Sequence, residues 1–436
     1  MARWITEWHP DDPAFWERTG RHVARRNLVF SIVAEHLGFT VWTLWSVVAT
    51  RMGAYDFSTD QLFWLVALPN LVGSALRVPY TFGPGRFGGR DFTVAGAVLL
   101  LVPAVLLGVA VNDPGTPYWL FLVIAALAGV GGGNFASSMA NITYFYPRGR
   151  QGLALGLNAA GGNVGVSSVQ LVVPLVIGSL GLAAAGWFWI PFIVVAAACA
   201  WFFMDNLAGA RAEPREQLAV AGRAQTWIMS FLYVGTFGSF IGYSTAFPLL
   251  SKSLFPDAPY AAVAFAGPLL GSLVRPVGGW LADRLGGAPV TQWNFAAMGA
   301  GVLLVWLASA SGGFWLFFLA FQLLFLTAGI GNGSTYRMIP AIFQAKAVAE
   351  RGTGEEALLH GRRQAAAAIG IISAVGALGG FLVNRAFGMA YAAAGTPAPA
   401  FLAFAAFYAA CLALTWWCYT RTVGVKVVAN LAHAQV

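Results

Sequence analysis

Two stretches of this chain, LRVPYTFGPGRFGG at 76–89 and VRPVGGWLADRLGG at 274–287, follow one pattern. Arg77 in the first stretch corresponds to Arg275 in the second, at an offset of 198 residues (275 minus 77). A second arginine and a closing pair of glycines also correspond at that offset. The match indicates that the two stretches occupy equivalent places in two copies of one structural plan.

A second block supports the duplication. The stretch GGNFASSMANITYF at 132–145 aligns with IGNGSTYRMIPAIF at 330–343 at the same offset, and Asn134 falls on Asn332. Two separate blocks rarely share one offset by chance, so the sequence predicts an internal repeat that spans most of the chain.

Composition places the repeat in a membrane. Hydrophobic residues make up 58% of the chain and charged residues only 10%, whereas soluble domains carry about 25% charge. The apolar runs are about twenty residues long and do not alternate with period two, which predicts helices and not a barrel. We therefore predict an all-α membrane protein with twelve transmembrane helices, at 28–50, 61–82, 93–111, 118–146, 151–178, 182–204, 225–250, 259–282, 290–311, 314–343, 364–386 and 399–420.

The predicted spans divide into two six-helix halves. This plan, together with the loop stretch GGWLADRLGG at 278–287, resembles the major facilitator superfamily, whose two halves are parallel repeats. The predicted domain organisation is an N-terminal cytoplasmic segment, a first half, a cytoplasmic linker, a second half and a cytoplasmic tail, at 1–27, 28–204, 205–224, 225–420 and 421–436.

The basic residues predict the orientation. Most of the 25 Lys and Arg residues fall on one side of the predicted topology, and the opposite loops hold only Arg51, Lys252 and Arg385. Because cytoplasmic loops are enriched in Lys and Arg, both termini are predicted to be cytoplasmic in a multi-pass protein of the cell inner membrane. The net charge of +8 is scattered over short loops, so it does not indicate a nucleic-acid partner.

Arg77 and Arg275 lie within predicted spans at equivalent places in the two halves. A guanidinium stays charged and offers a planar fork of donors. Two such forks from facing halves suit a small planar oxyanion. The alternative is that each arginine reaches the membrane surface or pairs with a buried carboxylate.

Several of the predicted helices in both halves contain glycine and asparagine residues. Glycines let helices pack closely, and buried amides need hydrogen-bond partners. Packing explains the glycines alone, whereas glycines and amides together are also compatible with a path for a small anion. The candidate residues are Gly132, Gly133, Asn134, Asn158, Gly161, Gly162, Gly331, Asn332 and Gly333.

Glu35 and His36 stand side by side in the first predicted span. Ionisable residues at membrane depth are costly and usually functional. Helical spacing places Glu35 on a face with Trp42, and His36 on a neighbouring face with Thr40, so the two need not serve one task. Structural alternatives are an ion pair of Glu35 with an arginine and a buried hydrogen bond of His36.

Three runs of sequence carry a more specific resemblance. The first-half run NFASSMANITYFYP, followed by QGLALGLNAAGGN, and the second-half run GNGSTYRMIPAIF resemble the nitrate signatures of the nitrate/nitrite porter family. The resemblance covers nearly the whole chain. It implies that Arg77 and Arg275 clamp the anion, with further contacts from Asn163, Tyr233, Phe237 and Phe135.

The resemblance predicts a secondary transporter that imports nitrate by alternating access, with nitrite as a second substrate. AEHLGFTVW at 34–42 resembles the first helix of the proton-linked importers, which implies symport with Glu35 and His36 as proton sites. A nitrate/nitrite antiporter, a carrier of another substrate and a channel remain alternatives. No metalloprotease, haem or Walker pattern occurs, so we expect no enzyme activity, no cofactor and no metal. The expected partners are nitrate, nitrite, protons and lipid, and we expect the monomer to function.

Overall fold

The computed structural model describes residues 4–210, 219–352 and 354–421. Within these residues, eleven helices are long and apolar enough to cross a membrane. We number the helices in chain order and reserve the label α7 for a further helix, which the next paragraph describes. They are α1 Pro13–Arg51, α2 Thr59–Phe87, α3 Gly89–Ala110, α4 Tyr118–Phe145, α5 Gln151–Leu180, α6 Ala184–Phe203, α8 Tyr260–Leu285, α9 Gly287–Ala310, α10 Phe314–Arg351, α11 Glu356–Ala394 and α12 Ala398–Thr420.

The seventh helix, α7, is a continuous helical run in three parts. It comprises Ala224–Tyr233, a π turn at Val234–Gly238, and Ser239–Leu254. Every residue of the third part from Ser239 to Ser251 is buried. Protein surrounds this third part, so it tolerates glycine and hydroxyl side chains that reduce its hydropathy. The helical membrane fold predicted from the sequence is confirmed.

Several helices extend well beyond the predicted apolar spans. The predicted span 364–386 lies inside Glu356–Ala394, and the span 314–343 lies inside Phe314–Arg351. Hydropathy detects only the apolar part of a helix, about twenty residues for the hydrocarbon thickness. A helix that continues into polar surroundings keeps its backbone hydrogen bonds while its side chains become polar.

The described residues fall into two compact units that divide between 210 and 219, and the short stretch Pro259–Phe265 belongs to the first. The core of the first unit contains large apolar side chains from several helices, among them Val41, Trp45, Phe121 and Val169. In the second unit, Phe247 contacts the rings of Phe317, Phe321 and Phe325 at centroid distances of 6.1, 5.1 and 6.4 Å.

The repeat is visible in two matching turns. Gly88 ends α2 with φ +92° and ψ 140°, and Gly286 ends α8 with φ +89° and ψ 140°. L side chains rarely adopt this backbone conformation, so both turns require glycine. In each unit the turn joins the arginine-bearing helix directly to the next helix.

A small two-stranded parallel sheet was not predicted. β1, Trp4–Ile5, pairs with β2, Asn206–Leu207. Next to β2, the Asp205 carboxylate accepts hydrogen bonds from Arg26 at 2.5 Å and from Asn27 at 3.0 Å. The beginning of the predicted linker is therefore held against the first half of α1.

Helices α1, α2 and α4 approach closely where glycines face the Trp42 ring. An added Cβ would lie 2.6 Å from this ring at Gly132 and 2.7 Å from its Nε1 at Gly73. The indole Nε1 donates a hydrogen bond to the Pro69 carbonyl at 2.9 Å. Because this bond fixes the ring, it cannot easily move aside for a larger residue.

We predict that Gly132→Leu lowers the unfolding temperature of the purified protein by several degrees. Overpacking a tight interior costs about 1–3 kcal/mol, and the fixed Trp42 ring blocks relaxation. Gly156→Leu is the matched control, because nothing lies within 4 Å of an added Cβ at Gly156. Equal unfolding temperatures for both variants in detergent would show that the packing around Trp42 is not tight.

Candidate anion-binding site

Arg77 is completely buried in the first unit. Its Nε donates a hydrogen bond to the Gly132 carbonyl on α4 at 3.2 Å. The guanidinium carbon lies 4.4 Å from the centroid of the Phe135 ring and 5.5 Å from that of Trp42. Cation–π contacts of this kind strengthen when they are desolvated. A backbone carbonyl and two ring faces thus hold the charge at a defined place.

Trp42 is a site residue that sequence reasoning did not assign. The sequence placed it on the Glu35 face of the first span but gave it no role. The ring contacts Phe39 edge to face at a centroid distance of 5.0 Å, and Phe39 lies 6.0 Å from Phe135. The aromatic surroundings of Arg77 therefore extend across α1 and α4.

Arg275 is the counterpart on α8 in the second unit, with 9% of its surface exposed. Its guanidinium carbon lies 5.4 Å from the centroid of the Tyr336 ring on α10. Among the described residues, its Nη1 has no hydrogen-bond partner, and Arg275 forms no ion pair. A buried donor that lacks a partner is costly, so this nitrogen is suited to an external acceptor.

Tyr233 and Phe237 lie in the same unit as Arg275. Their rings stack at a centroid distance of 5.4 Å with an interplanar angle of 14°. Tyr233 also contacts Tyr336 at 6.3 Å. Tyr336 therefore connects the arginine to the stacked pair, and it is the second aromatic residue that sequence reasoning missed. Its position, four residues after Asn332 in the signature stretch, was the available signal.

Asn163 on α5 is completely buried, and neither atom of its amide has a hydrogen-bond partner among the described residues. Asn158, one and a half turns earlier, donates to the Ser138 hydroxyl at 2.7 Å. Asn332 is also buried, and its Oδ1 is unpartnered within the same described part of the chain. The predicted asparagines thus differ: Asn158 is used in helix packing, while Asn163 keeps its full hydrogen-bonding capacity.

The remaining signature residues pack helices together. An added Cβ would lie 3.0 Å from Tyr80 at Gly133, and the Asn134 amide lies 3.2 Å from the corresponding position at Gly38. In the second unit, an added Cβ would collide with Asn294 at Gly331 and with the Arg275 backbone at Gly333. These glycines allow the neighbouring helices to approach the two arginines.

Glu35 and His36 both contact the glycine pair of α5. The His36 Nδ1 lies 3.1 Å from the Gly161 carbonyl oxygen, within hydrogen-bond distance. An added Cβ at Gly162 would collide with the Glu35 carboxylate. Glu35 is 1% exposed, whereas His36 is only partly buried. The structure therefore brings these ionisable groups together at one helix contact.

Comparison with known proteins gives the family. The sequence profile of the Major Facilitator Superfamily matches residues 30–354. The nitrate/nitrite transporter NarU of Salmonella typhimurium is 45% identical over 96% of both chains. The probable nitrate/nitrite antiporter NarK2 of Thermus thermophilus is 37% identical over 96% of this chain and 97% of its own, and the nitrite extrusion protein of Bacillus subtilis is 26% identical over 92% and 95%. The chain belongs to the nitrate/nitrite porter family of the major facilitator superfamily, whose members are membrane transporters and not enzymes.

Proposed function

We propose that this protein imports nitrate across the cell inner membrane by alternating access, with nitrite as a second substrate. The observation that carries the proposal is an arginine at the same position of both repeats, buried and set against aromatic rings. Relatives named as nitrate/nitrite transporters, similar over almost the full chain, support the substrate class.

The chemistry of the arginines suits nitrate. Nitrate is flat, carries one negative charge and has three acceptor oxygens. A guanidinium can donate two parallel hydrogen bonds in its plane, which a lysine cannot do. Aromatic side chains around each arginine exclude water, and charge interactions strengthen where the local dielectric is low. We propose that Arg77 and Arg275 both bind the anion and that Asn163, Phe135, Tyr233 and Phe237 complete its surroundings.

We further propose that nitrate enters together with protons. With Glu35 ionised and no anion bound, Glu35 and the two proposed arginines carry a net charge of plus one. With Glu35 protonated and nitrate bound, the net charge is again plus one. The carrier can therefore change conformation both empty and loaded, as a symporter must.

The membrane potential sets the stoichiometry that import needs. An inside-negative potential opposes anion entry by about 2.3 kcal/mol per charge per 100 mV. One proton per nitrate cancels this cost, and two protons convert it into a driving force. An imidazole can bind and release a proton, and the contact of His36 with α5 beside Glu35 makes it the proposed second proton site.

Nitrate/nitrite exchange is the second candidate function. The name of NarK2 of Thermus thermophilus, a probable antiporter that is 37% identical to this chain, favours it. In an exchanger, the two arginine charges would oppose reorientation of the empty carrier. Uptake would then require an anion on the opposite side and would be indifferent to a pH gradient.

Arg77→Lys and Arg275→Lys should each reduce the kcat/KM for nitrate by about ten- to hundredfold. A hydrogen bond to a charged group is worth about 1.5–3 kcal/mol, and lysine cannot replace the planar fork. Uptake of labelled nitrate into proteoliposomes measures the effect.

The matched controls are Arg86→Lys and Arg284→Lys, nine residues further along the same two helices. Both arginines are exposed and lie over the rings of Phe87 and Trp280. We expect these controls to transport like the wild type. Wild-type rates in both Arg77→Lys and Arg275→Lys would contradict the proposed anion site.

Glu35→Gln should abolish nitrate accumulation driven by an imposed pH gradient while nitrate binding or exchange continues. The glutamine amide is similar in size to the glutamate carboxyl group, but it does not ionise and therefore cannot bind and release a proton. The measurement compares proteoliposomes with and without a pH gradient, each with and without internal nitrite.

Glu17→Gln is the control for this experiment, because Glu17 is exposed and forms a surface ion pair with Arg21. Undiminished pH-driven accumulation in Glu35→Gln would place the proton elsewhere. Wild-type uptake that depends on internal nitrite and ignores the pH gradient would establish exchange instead of symport.

A further inference from the structure

The π turn Val234–Gly238 interrupts α7 between Tyr233 and Ser239. Such turns are rare and occur frequently at functional sites. The turn contains Phe237 and directly follows Tyr233, so it sets the relative orientation of the stacked rings. The backbone amide of Ser239 closes it by donating to the Val234 carbonyl, five residues earlier.

The side chain of Ser239 is held by a buried tyrosine pair. The Tyr408 hydroxyl on α12 donates to the Ser239 hydroxyl at 2.7 Å. The Tyr408 and Tyr243 hydroxyl oxygens are 2.6 Å apart. The single hydroxyl hydrogen of Tyr408 is used in its hydrogen bond to Ser239. The Tyr243 hydroxyl is therefore the donor in the hydrogen bond between the two tyrosines. The exposed fractions of Ser239, Tyr243 and Tyr408 are only 3%, 0% and 1%, so water does not compete for these bonds.

Two other helices contact the same turn. The Thr236 hydroxyl lies 3.0 Å from the Thr335 hydroxyl on α10. An added Cβ at Gly238 would lie 2.8 Å from both the Gly376 carbonyl oxygen and the Gly379 Cα on α11. With α10 and α11 against its sides, the π turn has little freedom, and the bond from α12 fixes the residue that closes it.

We propose that Tyr408 is a positioning residue for anion binding. Through Ser239 its hydroxyl fixes the π turn, and the π turn holds Tyr233 and Phe237 in the stacked arrangement that accepts the anion. The inference rests on the proposed function, in which these two rings surround nitrate. Tyr408 itself lies on α12, 169 residues after Ser239 in the chain, and is assigned no contact with the substrate.

The test compares Tyr408→Phe, Ser239→Ala and the control Tyr243→Phe in nitrate uptake by proteoliposomes. Tyr408→Phe and Ser239→Ala should each raise the KM for nitrate about fivefold and leave kcat within about twofold, because one hydrogen bond to the turn is lost. The double variant should have the same KM as either single variant, since both remove one interaction. Tyr243→Phe removes a hydroxyl from the same pair but keeps the bond to Ser239, so its KM should stay close to wild type.

A wild-type KM in Tyr408→Phe, or an equal rise in Tyr243→Phe, would overturn the inference. If Tyr408→Phe does not fold, Ser239→Ala carries the same test. Failure of the proposed function gives a different result: the wild type would then show no saturable nitrate uptake. Uptake that is lost in Arg77→Lys but unaffected in Tyr408→Phe and Ser239→Ala would refute the positioning role alone.

Discussion

The placement of a permanent positive charge inside the membrane is the constraint on which the first unit depends. Arg77 is completely buried, and a charge at that depth costs several kcal/mol unless the protein compensates for it. The Gly132 carbonyl and the faces of Phe135 and Trp42 supply the compensation. The carbonyl can reach Arg77 because glycine at 132 brings α4 against Trp42, so close helix packing and charge stabilisation are one arrangement.

The internal repeat made much of this predictable from sequence. The offset between Arg77 and Arg275 also predicts the equivalence of Gly88 and Gly286, and their backbone angles agree within a few degrees. The π turn at Val234–Gly238 was not predictable, because one extra residue in a helical turn leaves no period in the sequence. The strands β1 and β2 were missed because two residues are too short to show alternation.

Glu35 and His36 on α1 show what helical spacing can and cannot predict. Spacing along α1 places Glu35 and His36 on neighbouring faces, which is correct for a single helix. The spacing does not predict that both side chains contact the adjacent glycines Gly161 and Gly162 of α5. That contact depends on how α1 and α5 pack, and it joins two groups whose roles the sequence left separate.

The central proposal is that Arg77 and Arg275 bind one anion together. Calorimetric titration of the purified protein with nitrate tests it most directly, because it measures stoichiometry independently of any driving ion. The account predicts one nitrate per chain, with binding lost in both Arg77→Ala and Arg275→Ala. Two independent nitrate sites per chain, or full-affinity binding in either variant, would contradict it.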